Sequence, residues 1–135
     1  MSTVIRPELS EKNPYHMEKH RYYELKHFCL QYLKWKQLYL SCSNMHPFGD
    51  IRNGPMFSRP TERIVMDRDF YLDRMIMVES ACREASSELS EYILAGVTQG
   101  LSYDILKARL EIPCGKDLYY ELYRKFFAIL DEKRK

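Results

Sequence analysis

Glycine and proline are scarce in this chain, five and six among 135 residues, and they are clustered. Pro47, Gly49, Gly54, Pro55 and Pro60 fall between His46 and Pro60, and Pro7 and Pro14 precede Tyr15. Gly96, Gly100, Pro113 and Gly115 lie toward the end. This distribution excludes a collagen-like fibre, and the breaker-free intervals point to long helices. Cysteine is scarce too. Cys29, Cys42, Cys82 and Cys114 are far apart with no C-x-x-C pair, which excludes a small cystine scaffold and reads as four buried or half-buried free thiols. Together with His16, His20, His27 and His46 they show no regular paired ligand spacing, so no metal or other cofactor is expected. No run approaches the roughly 20 apolar residues of a membrane span, and MSTVIRPELSEKNP has no signal-peptide apolar stretch. A soluble cytoplasmic protein with no membrane partner is the expectation.

What is present is a core. Apolar residues make up 45%, charged residues 30% and aromatics 13% of a 16.2 kDa chain, which excludes a disordered protein. A chain this long buries roughly 70% of the surface its unfolded form exposes, enough to fold without disulfides or metal. Charge is uneven along it. Residues 1–44 carry seven Lys/Arg against four Asp/Glu, residues 45–101 six against nine, and residues 102–135 eight against six. Basic ends around an acidic middle permit a nucleic-acid partner only where the cations converge in space.

The expected architecture is all-α: a long antiparallel helical hairpin plus a C-terminal helix-turn-helix, one structural domain overall. Residues 1–14 read as a flexible polar arm. From Tyr15 to Ser43 the positions Tyr22, Leu25, Phe28/Cys29, Tyr32, Trp35 and Tyr39 make one stripe of a long amphipathic helix. Residues 46–60 read as an exposed loop. Residues 62–85 give a second long helix, with Ile64, Tyr71, Met75, Val78, Cys82 and Ala85 inward and Leu72, Ile76 and Leu89 widening the stripe. Residues 15–85 thus form the hairpin and residues 86–135 the region packed on it. Within the latter the expected helices are Ser87–Val97, Tyr103–Leu110 capped by Ser102, and Lys116–Lys133 after the break at Pro113 and Gly115. The inward faces expected are Tyr103, Leu106 and Leu110, then Leu118, Leu122, Phe126 and Ile129.

No G-x-S-x-G, P-loop, G-x-G-x-x-G or H-E-x-x-H motif occurs, and no enzyme is expected. Asp67, Asp69 and Asp73 form a carboxylate cluster in which an adjacent arginine is expected to neutralise each. Cys114 precedes a helix start, where a thiolate is favoured, but reads more simply as a turn residue.

The informative stretch is GLSYDILKARLEIPCGKDLYYELYRKFFAILDEKRK, Gly100 to Lys135. An eight-residue helix, a short turn and a longer helix have helix-turn-helix proportions. In such a unit the first helix crosses the DNA backbone and the start of the second enters the major groove. Lys107 and Arg109 are the expected phosphate contacts, and Lys116, Tyr119, Tyr120, Tyr123 and Arg124 the expected DNA-facing positions of the last helix. Asp117 and Glu121 argue against a strong non-specific footprint.

Gly100–Tyr103, Ile112–Asp117, Tyr119-Tyr120 and Arg124–Phe127, with His20–Tyr32 and Glu79–Ala85, resemble a family of small proteins from prophages and mobile elements of Gram-positive bacteria. Its C-terminal part is similar to the sigma-region-4 type helix-turn-helix of the ArpU and RinA phage late-gene regulators. The resemblance covers most of the chain except the arm and the 46–60 loop. It implies a phage-type transcriptional regulator that binds double-stranded DNA through the last helix. RNA polymerase, another nucleoprotein complex or a second copy of the chain are the further partners expected, because one such module rarely supplies enough specificity. Tyr32, Trp35, Tyr39, Met75 and Met77 are the expected partner surface. The competing expectation is a small helical interaction module, such as an anti-CRISPR-type inhibitor of a host nucleoprotein enzyme, acting through an acidic middle segment.

Overall fold

The computed structural model describes residues 15–44 and 60–135, with side chains described for 15–42 and 66–135. The expected arm at 1–14 and most of the 46–60 loop lie outside the described residues, as does the side chain of Ile64. Six helices and no strand occur among the described residues: α1 Lys19–Leu30, α2 Tyr32–Asn44, α3 Pro60–Ala85, α4 Ser90–Gln99, α5 Tyr103–Leu110 and α6 Lys116–Lys133. The fold is all-α. No described helix is long and apolar enough to cross a membrane.

The first long helix is in fact two. Glu18 caps α1 by accepting from the Arg21 N–H at 3.0 Å, so the helix starts four residues later than expected. At Gln31 the ladder tightens: its N–H reaches the Phe28 carbonyl at 3.2 Å, and its carbonyl accepts from Trp35 N–H at 3.0 Å to begin α2. The buried stripe runs through this break without losing phase, since Tyr22, Leu25, Phe28, Cys29, Tyr32 and Trp35 are all buried. Periodicity therefore carries no signal of it.

Helix α2 lies along α3, and α6 packs mainly on α3 while also touching α1, α4 and α5. Met75, Val78, Ala81, Cys82 and Ala85 form the inner side of α3; Tyr71 and Leu72 are half-buried and Ile76 is exposed. Leu89 is buried as expected. Helix α4 begins at Ser90 rather than Ser87, because the Ser86 hydroxyl accepts from Leu89 N–H and shapes residues 87–89 into a turn. It runs past Gly96 and ends at Gly100, whose φ of 67° is the left-handed cap that glycine adopts without strain. Helices α5 and α6 have the boundaries expected from sequence.

The inward faces of α5 and α6 differ from expectation. In α5 only Leu106 is fully buried, Tyr103 is half-buried and Leu110 is exposed. In α6 Leu118 is exposed and Leu122 and Ile129 are half-buried, whereas Tyr119, Phe126, Phe127 and Leu130 are completely enclosed. The helix has rolled to place its aromatic side inward, where larger rings remove more apolar area from water. Tyr119 settles over Gly96 of α4, where the missing Cβ leaves room for its hydroxyl.

Candidate nucleic-acid interface

The connection from α5 to α6 is fixed from both sides. Ser102 accepts from Ile105 N–H to start α5, and Glu111 ends it in a left-handed conformation at φ 52°. Ile112 is wholly buried and anchors the turn. Tyr103 donates its hydroxyl to the Cys114 carbonyl at 2.7 Å, Lys107 Nζ donates to the Ile112 carbonyl at 3.3 Å, and Tyr120 accepts from Tyr103 N–H at 3.2 Å.

The far end of α6 is held more firmly. Arg21 Nε donates to Asp131 Oδ1 at 2.6 Å, and its Nη2 reaches the Asp131 and Arg134 carbonyls at 3.5 and 3.4 Å. That supplies donors for carbonyls the helix end leaves without intrahelical partners. Lys133 pairs with Glu84 at 2.5 Å, and the Arg134 guanidinium lies 3.8 Å over the Phe28 ring. Midway, the Tyr22 and Tyr123 hydroxyls share a 2.7 Å hydrogen bond. Their rings meet Phe127 at centroid distances of 5.2 and 4.9 Å.

These contacts redistribute the residues expected to face DNA. Arg109 and Lys116 are exposed, Lys107 is exposed with its ammonium on the turn, and Arg124 is half-buried. Tyr119 is not at the surface: it is enclosed, burial pushes its phenol up, and its hydroxyl has no hydrogen-bond partner among the described residues. Tyr120 and Tyr123 are half-buried, and their hydroxyls are committed to Tyr103 and Tyr22. Burial is likewise the main cause of a raised Tyr123 phenol. The surface of the first two turns belongs instead to Lys116, Asp117, Leu118 and Glu121, with Arg124 and Lys125 half-buried. Turning the helical wheel to put the tyrosines inward would have exposed this set.

Part of the expected partner surface is turned inward. Tyr32, Trp35 and Met75 are buried, Tyr32 donating to Glu79 and Trp35 packing on Phe28; Tyr39 and Met77 are half-buried. The apolar side chains left in water on these helices are Leu33, Leu40, Met66, Phe70 and Ile76. Asp67, Asp69 and Asp73 are exposed, yet none forms an ion pair among the described residues. Arg74 stacks 3.6 Å over Phe70 instead of neutralising them.

Cys29 and Cys82 are buried, and burial raises both thiols, Cys82 to about 12. The Cys114 thiol is also raised by burial, with Lys107 opposing, which is the wrong direction for an activated nucleophile. No group of three or more His, Cys, Asp or Glu side chains able to hold a metal occurs among the described residues. No protein-family model, curated protein or solved structure matches the chain.

Proposed function

We propose that the chain is a DNA-binding transcriptional regulator of phage type, with the first turns of α6 entering the major groove of a duplex. The observation that carries this reading is the contrast between the two ends of α6. Its last turns are clamped by Arg21, Lys133 and Arg134, while its first two turns present Lys116 to solvent beside Arg109 of α5, with half-buried Arg124 one turn further on. A reader helix needs this combination: an orientation fixed by the scaffold and a leading face free to meet base edges and phosphates. Asp117 and Glu121 on the same face keep the non-specific attraction low, so affinity depends on a matching sequence.

Gel retardation of fragments from the genome that carries the gene, across a salt series, tests the reading. One fragment should be retarded, with retardation weakening as salt rises. Arg124→Ala should weaken that binding by about 1–3 kcal/mol while leaving the circular dichroism unchanged. Unaltered binding by this variant removes Arg124 from the interface. Failure of folded protein to retard any fragment at low salt ends the reading. It would leave the second one, a helical module that binds a nucleoprotein enzyme or RNA polymerase, for which Asp67, Asp69 and Asp73 speak, exposed and without an ion pair among the described residues. Arg68, exposed between them, breaks the continuous acidic face such a phosphate mimic requires.

A further inference from the structure

The α2 and α3 pair carries surface that is exposed among the described residues. Five successive residues of α3, Met66 to Phe70, are all exposed, so more than a full turn has no side packed on the core. A helix in water is held mainly by burying one face, and this turn buries none. Met66 is 68% exposed, Phe70 48% and Ile76 46%, and on α2, which packs along α3, Leu33 is 48% and Leu40 50% exposed. Leu33, Lys34, Lys36, Gln37 and Leu40 line one shallow open depression.

Charge tells what fits there. Helix α2 contains no carboxylate at all, and its outer face carries Lys34 and Lys36. The exposed part of α3 carries Asp67, Asp69 and Asp73 against one exposed cation, Arg68, and none of the three carboxylates is in an ion pair among the described residues. One chain therefore bears both halves of a complementary surface. Spacing agrees as well. Leu33 and Lys36 are three residues apart, as are Asp73 and Ile76, and Leu40 lies seven residues from Leu33 as Asp69 does from Ile76. Setting Leu33 against Ile76 of a second copy, helices antiparallel, brings Lys36 to Asp73 and Leu40 to the turn holding Asp69 and Phe70.

We infer that α2 and α3 form a twofold dimerisation surface, the α2 of each copy lying along the α3 of the other. The contact occurs twice around the axis, so it closes at two chains and satisfies both helices of both copies. It does not depend on the DNA-binding reading, since α5 and α6 take no part.

Sedimentation equilibrium of the full chain tests it, beginning with wild type. The expected mass is twice the 16.2 kDa chain mass. Lys36→Asp and Asp73→Lys each place like charges opposite one another in both contacts and should weaken the dimer about tenfold or more. Mixing these two variants in equal amounts restores an opposite-charge pair at both contacts, so a heterodimer of near wild-type strength should form. An ion pair within one protomer could not be repaired by mixing. Leu33→Asp should dissociate the dimer, with unchanged circular dichroism showing that the chain is still folded. A monomeric wild type up to about 1 mM, a dimer indifferent to Leu33→Asp, or a mixture no tighter than its components each overturns the proposal.

Discussion

At Gly96 the α4 backbone leaves a notch that the Tyr119 hydroxyl occupies, and the two residues should be read together. A methyl group on Gly96 would meet that hydroxyl closer than real Cβ atoms approach, with Leu106 Cδ1 and Tyr119 Cζ at 3.4 Å. Gly96→Ala should therefore cost about 1–3 kcal/mol through overpacking, more than the roughly 1 kcal/mol that alanine returns in helix propensity. Tyr119→Phe removes a buried hydroxyl that has no partner among the described residues and should be neutral or stabilising by about 1 kcal/mol. In the Tyr119→Phe background the sign for Gly96→Ala should reverse, since the obstructing atom is gone. Urea denaturation of the two single variants and the double variant measures the coupling. Additive effects would show that the notch is not what accommodates Tyr119. Sequence could not reveal this pair: glycine inside a helix and tyrosine on an amphipathic one each look unremarkable until their helices are brought together.

Among the elements, α5 and α6 were legible because their ends are chemically marked, by Ser102 at one start and by Pro113 and Gly115 before the other. The division of α1 from α2 was not, because Gln31 interrupts hydrogen bonds and leaves the apolar stripe intact. Nor was the roll of α6. Leu118, Leu122, Phe126 and Ile129 compete with Tyr119, Phe126, Phe127 and Leu130 as stripes of the same period, and only the shape of α3 and α4 decides between them. That choice fixed which residues of the candidate interface reach solvent, so its cations were readable and its tyrosines were not. The clamp on α6 can be tested as an element. Arg21→Met should cost about 1 kcal/mol, the usual worth of a partly exposed hydrogen-bonded ion pair. Amide exchange should then accelerate in residues 130–135 and remain unchanged in residues 116–122. Acceleration along the entire helix would mean that α6 is held as one unit.

For the whole molecule, the buried acids set an alkaline limit. In the unfolded chain thiols ionise near 9.0 and phenols near 10.0, whereas in the fold Cys29, Cys82, Tyr32, Tyr119 and Tyr123 keep their protons to higher pH, burial being the largest cause for each. Above pH 9 the unfolded state therefore binds fewer protons than the folded one, and stability present at neutral pH is lost as pH rises. The urea midpoint should fall steadily through this range. A midpoint that does not move would place these thiols and phenols in contact with water. Assembly matters at the same scale: were the proposed pair to form and the proposed reading of α6 to hold, the two α6 helices would read an inverted repeat whose spacing records the distance between them.

The four cysteines have a practical consequence. Cys29 and Cys82 are sealed in the core, while Cys42 on α2 and Cys114 beside the first turn of α6 are only half-buried. The native chain thus comes with two addressable thiols, one on the helix argued to meet a second copy and one at the edge of the face argued to meet DNA. Replacing one of them with serine leaves a single half-buried thiol, so a fluorophore there would watch one encounter at a time.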